Sequence, residues 1–99
     1  MENLSTQIKR RFDHEASKQT LREKYDAKLT FAHQGGMFRA GPELISTLSA
    51  VQLDDLVIVD LYHTPVTVNR QVLLAETIQR WQEQLNAWQV ELAELSRER

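Results

Sequence analysis

Apolar positions fall into three successive rhythms along the chain, and each rhythm predicts a different kind of element. From about Leu4 to Lys28, Leu4, Ile8, Phe12 and Ala16 recur at i, i+4, which lays them along one side of a helix. Leu21, Tyr25 and Leu29 repeat the spacing on another side of the cylinder, so the stripe changes phase near Ser17–Thr20. The stretch lacks Gly and Pro and is rich in helix formers. It predicts a helix that bends or breaks at the phase change, or whose halves meet different partners, rather than one uninterrupted rod.

The middle of the chain switches to a period of two. Leu29, Phe31 and His33 alternate with Lys28, Thr30 and Ala32, the pattern of a strand. Gln34-Gly35-Gly36 tolerates positive φ, and Met37-Phe38-Arg39-Ala40 can return as the second strand of a hairpin. Gly41-Pro42-Glu43 is a helix start, because Pro fits the first helical position where a missing N–H costs nothing. Leu44, Ile45, Leu48 and Val51 then give a short helical stripe. After Leu53-Asp54-Asp55 comes Leu56–Tyr62, the strongest strand signal. Its unbroken apolar run predicts cover on both faces and a central place in the sheet. His63-Thr64-Pro65 turns the chain into Val66-Thr67-Val68, a final strand that Pro65 confines to an edge or a start position.

The third rhythm is the longest. Asn69 is a favoured N-cap, and Val68 with Leu73 has the spacing of a hydrophobic staple, so the last strand feeds directly into a helix. Leu74, Ile78, Trp81, Leu85, Trp88, Leu92 and Leu95 then step by four and three in alternation. This is a heptad seam with Ile78, Leu85 and Leu92 at a, and Leu74, Trp81, Trp88 and Leu95 at d. The e and g positions hold Ala75, Thr77, Gln82, Gln84, Gln89, Glu91, Ser96 and Glu98, which encode no charge pairing of a parallel dimer. Two Trp at d suit packing over smaller residues such as Ala16, or over the sheet. The seam therefore meets either the N-terminal helix or a second copy of the chain. At about 1.5 Å per residue the helix is about 45 Å long, more than four short strands can cover.

Composition narrows the picture. A chain of 99 residues, 41% hydrophobic and 26% charged, predicts one soluble domain that buries little surface for its size. Its parts are a helical segment at 1–28, a sheet with an inserted helix at 29–68, and a helix at 69–99. There is no Cys, so neither a disulfide framework nor a thiolate metal site is available. No apolar run suits a bilayer, and the charged start MENLSTQIKRRF lacks the apolar core of a signal peptide. A cytoplasmic setting, without a membrane partner, is expected. Residues 1–28 carry seven Lys and Arg against five Asp and Glu, whereas residues 29–68 carry one against four. Lys9, Arg10, Arg11, Lys18, Arg22 and Lys24 make that first segment mildly basic, a candidate phosphate-facing surface or simply a solvated helix face.

Candidate chemistry is sparse. His33 beside Gly35-Gly36 is read as solvated at a hairpin mouth. His63 stands three residues after Asp60, a conceivable His–carboxylate metal pair without a third ligand. Asp54 and Asp55 point opposite ways on an extended chain and serve a turn. Gly35-Gly36 is too short for a phosphate loop. The sequence thus predicts no catalytic residue, cofactor or metal.

The stretches GGMFRAGPELISTL and DLYHTPVTVNRQVLL, followed by the Trp-bearing tail, resemble a small uncharacterised protein family of T4-like marine phages. The resemblance runs from about residue 29 onward. It implies a host-cytoplasm or virion-associated setting and no functional residues, with another phage protein as an alternative partner. The order of a helix followed by short bent strands is also similar to the Sm-like small barrel, whose members form rings and bind RNA. Gly41-Pro42-Glu43 stands where an Sm-type first motif carries Asp and Asn, and the Arg-Gly pair of the second motif is missing. The expected architecture is α+β, with an N-terminal helix and a small antiparallel sheet or partly open barrel of four to five short strands. A short inserted helix and the long C-terminal helix complete it. The expected role is a non-enzymatic, self-associating structural or interaction protein. The alternative is single-stranded nucleic-acid binding through the basic N-terminal helix, with Phe31 or Phe38 as stacking platforms.

Overall fold

The computed structural model describes residues 4–97, with side chains from residue 8 onward. The expectations placed on the Leu4 side chain and on Glu98 lie outside the described residues. The order of elements is α1 (Leu4–Lys28), β1 (Thr30–His33), β2 (Gly36–Arg39), α2 (Pro42–Ala50), β3 (Asp55–Val59), β4 (Pro65–Asn69) and α3 (Arg70–Arg97).

The class is α+β, but the strands form two separate two-stranded antiparallel ribbons, β1–β2 and β3–β4, and no closed barrel. In the first ribbon Phe31 lies opposite Phe38 and His33 opposite Gly36. Gln34 and Gly35, at φ 47° and 83°, make a two-residue connection with both central positions left-handed. That is the turn whose twist matches the flanking strands. In the second ribbon Leu56 faces Val68 and Ile58 faces Val66. β3 was expected to be central with both faces covered. Instead it pairs with β4 alone, and Val57 and Val59 are 64% and 62% exposed. Its inward residues are Leu56 and Ile58, so the unbroken apolar run alternates in burial after all.

One face of each ribbon meets the helices. Leu29, Phe31, Phe38, Ala40, Leu48, Leu56, Val68 and Leu73 form the buried cluster, with Leu44, Ile58, Val66, Leu74 and Trp81 packed against it. α2 starts at Pro42 and sends Leu48 into this core. Arg70 fixes its far end, donating from Nη1 to the Leu48 carbonyl and from Nε to the Leu53 carbonyl. Asn69 caps α3, its Oδ1 accepting the Val72 N–H at 3.0 Å. The staple residues Val68 and Leu73 are both buried.

α1 is one uninterrupted helix, contrary to the expected bend or break. Its halves do differ in surroundings: Tyr25 is buried and Leu21 half-buried, whereas Ile8 and Phe12 are 59% and 72% exposed. The phase change marks the point where packing stops rather than where the helix does. The whole molecule measures 64 × 23 × 20 Å.

Gly36 is crowded by the Phe38 ring of its own ribbon and by Val66 of the other. A Cβ there would lie 2.9 Å from the Phe38 ring and 3.0 Å from Val66 Cγ2, whereas one on Gly41 would meet nothing within 4 Å. Gly36→Ala is expected to destabilise the fold by about 1–3 kcal/mol through overpacking. Gly41→Ala, on extended backbone, should change the urea midpoint little.

Candidate interaction site

α1 and α3 lie antiparallel, since earlier residues of α1 meet later residues of α3. The Tyr25 ring stacks on Trp88, with centroids 6.3 Å apart and planes 10° from parallel. Glu91 sits one turn beyond Trp88 and accepts hydrogen bonds from Lys24 Nζ at 2.8 Å and from the Tyr25 hydroxyl. Those two donors hold the Glu91 carboxyl below its ordinary range against the cost of burial. The same bond raises Lys24, and it raises Tyr25 together with burial. Beside this clamp lies an open groove of about 650 Å³, whose lining includes Ala16, Thr20 and Leu21 from α1 and Glu94 and Leu95 from α3.

The seam residues of α3 have unequal surroundings. At the start of the helix burial runs through Leu73 and Thr77, one position away from Leu74 and Ile78. Leu74 is half-buried and Ile78 is 43% exposed. The staple turns Leu73 inward there, and the neighbours are the short helix α2 and the ribbons rather than one long helix, so the heptad frame does not set which residues are covered. Trp81, Leu85, Trp88, Leu92 and Leu95 are all half-buried. Ala16 lines the groove with Leu95, whereas Trp88 meets Tyr25.

The basic residues of α1 do not converge. Lys9, Arg10, Arg11, Lys18 and Arg22 are exposed at successive angles around the helix. Lys18 lies 3.8 Å from Glu15, and Lys24 is engaged by Glu91. Phe31 and Phe38 are 4% and 3% exposed, so neither can present a face to a base. Leu95, near the end of α3 at Arg97, shares the groove with Ala16, so the turns of α1 before Asp13 extend about 15 Å past the last described turn of α3, at about 1.5 Å per residue.

Two polar clusters hold the ribbons in place. His33, expected to be solvated, is buried: its Nδ1 donates to Glu76 Oε2 at 2.6 Å, and its side chain is 8% exposed. Glu76 Oε1 takes Arg80 Nε at 3.0 Å, and the Arg80 guanidinium lies over the Phe31 ring. Burial opposes the Glu76 charge, but His33 and Arg80 outweigh it and its carboxyl titrates low. His33 Nε2 has no hydrogen-bond partner.

The second cluster is Asp60. Its Oδ1 accepts the N–H groups of Tyr62 and Thr64, and its Oδ2 accepts the N–H of Met37 from the other ribbon. The Thr64 and Met37 bonds lead in holding its carboxyl below the ordinary value, against desolvation. Asp60 is thus a turn and junction residue, with its oxygens committed to the backbone. Among the described residues no three His, Cys, Asp or Glu side chains gather as a metal site, and no helix is long and apolar enough to cross a membrane. The sequence signal for this role was an Asp closing an apolar strand four residues before Thr64-Pro65.

A group whose folded pKa is depressed stabilises the fold above its unfolded pKa and loses that contribution as pH falls through the folded value. Asp60, Glu76 and Glu91 all shift this way, so the melting temperature should hold from neutral pH down to about 5 and fall below about 4. Asp60→Asn should lower the neutral-pH melting temperature and flatten part of the acid limb, because an amide oxygen cannot serve three donors. Trp88→Ala should cost about 2 kcal/mol in chemical unfolding, less than the about 3–5 of a fully buried aromatic.

The chain matches no protein-family model, no curated protein and no solved structure.

Proposed function

We propose that this is a non-enzymatic, self-associating structural or interaction protein. One observation carries the reading: the first half of α1 is a formed helix that displays Ile8 and Phe12 with little cover from its own chain. A large exposed aromatic beside a large exposed aliphatic on a projecting helix is costly in water unless another surface covers it. A small domain also gains more from association than a large one, because its own core is limited. The exposed valines of β3 add to the uncovered apolar surface. A phage setting belongs to the same proposal and rests on the two stretches GGMFRAGPELISTL and DLYHTPVTVNRQVLL.

A second reading, binding of single-stranded nucleic acid along α1, draws on the exposure of Lys9, Arg11, Lys18 and Arg22. It has less support, because acidic Asp13, Glu15 and Glu23 share those turns and the two core Phe residues are unavailable for stacking. A gel shift with short RNA or DNA at low ionic strength, where the electrostatic attraction is greatest, tests it. Absence of binding there removes it.

Light scattering on the purified chain tests the leading reading. The expected result is a concentration-dependent mass above the 11.5 kDa of one chain. A strict monomer at about 100 µM would sink it.

A further inference from the structure

We propose that two copies of the chain pair through the projecting half of α1, antiparallel, with Phe12 at the two-fold axis. This rests on the self-association reading and names its contact surface. Around α1, Phe12 lies opposite Leu21 and about 140° from Tyr25, and Ile8 lies about 140° and about 100° from the same two residues, which are turned toward α3. A partner can therefore reach them without displacing the intramolecular helix pair. A stretch of this length with so little tertiary cover is marginal as a helix, and a second helix alongside would supply that cover.

The charge order around Phe12 selects the partner and its direction. Lys9, Arg10 and Arg11 precede Phe12, and Asp13 and Glu15 follow it. At about 100° per residue, with Phe12 facing forward, Lys9 and Asp13 fall on one flank of the helix and Arg11 and Glu15 on the other. A two-fold antiparallel pairing sets Lys9 beside Asp13 of the second copy and Arg11 beside Glu15 of the second copy. Both relations then repeat by symmetry. Parallel pairing would set like charges beside like. The same surface therefore complements itself, which is what an isologous contact requires. Ile8 comes level with the small Ala16 of the second copy. A nucleic acid or an anionic membrane would meet Asp13 and Glu15 on the same turns as the cations, so a second copy fits the pattern better than either.

Two to three helical turns per copy make a small interface, and the dimer belongs to the weak, concentration-dependent class. Sedimentation velocity of the full chain from about 5 to about 300 µM reads it out. The wild type is expected to shift from monomer to dimer, more weakly as salt rises from about 50 to about 500 mM. Phe12→Asp should raise the dissociation constant at least about tenfold. Lys9→Glu should also weaken the dimer, and Lys9→Glu with Asp13→Lys should restore it. These side chains are exposed, so circular dichroism should show the fold intact in each variant. Dimerisation that survives Phe12→Asp, or that strengthens with salt, overturns this contact while leaving self-association standing. A wild type that stays monomeric throughout overturns both.

Discussion

A mismatch of lengths governs this molecule. α3 runs for 28 residues, whereas the strands it stands on have four or five. The ribbons and α2 cover its first turns, and everything after Trp81 needs another surface. α1 supplies it, which fixes α1 antiparallel to α3 and places Tyr25, Trp88 and Glu91 where the two helices bear on each other. Since α1 is itself 25 residues long and engaged with α3 by its C-terminal half, its N-terminal half finds little cover among the described residues. The cover that one helix obtains leaves the other uncovered.

The ribbons obey a second constraint. Alternation of the ladder bonds, anchored by Ala40 N–H to Leu29 C=O and Asp60 N–H to Thr64 C=O, points Met37 and Leu61 outward from their own ribbons and toward each other. Leu61 N–H does reach the Met37 carbonyl at 2.8 Å. The return bond goes to the Asp60 carboxylate instead of to a strand. A ladder between β2 and β3 thus begins and ends at one residue pair, and a cleft of about 400 Å³ opens beside it between Phe38 and Ile58. Asp60 joins the ribbons without merging them, which is why four strands make neither one sheet nor a barrel.

Local signals in the chain were sufficient for the elements and poor for their assembly. The cap at Asn69, the Pro42 start, the Gln34-Gly35 turn and the Pro65 strand start each depend on a few neighbouring residues, and all were legible. The apolar run of β3 was misleading because runs of Val and Ile occur wherever strand propensity is needed, including on a face left to solvent. The heptad steps of α3 described the spacing of large side chains but not which neighbour each would meet. Partnerships such as Tyr25 with Glu91 and His33 with Glu76 join residues more than forty positions apart, and no spacing rule links them. His33 looked like a loop residue because its hairpin is short. Only the arrival of α3 over the ribbon buries it.

The free edges of the ribbons bear on how the protein behaves when crowded. An open strand edge invites a neighbour to extend it, and repeated extension leads to aggregates. β4 is guarded against this: Pro65 has no N–H to offer, and the Asn69 N–H is taken by Gln34 of the first hairpin at 3.3 Å. Thr67 alone keeps an outward pair. β3 has no such blocks at Val57 and Val59, but Asp55 stands at its start and the Asp60 turn at its end. On this ribbon, edge pairing is thereby limited to Val57 and Val59 on one side and Thr67 on the other, and growth by that route has little to propagate along.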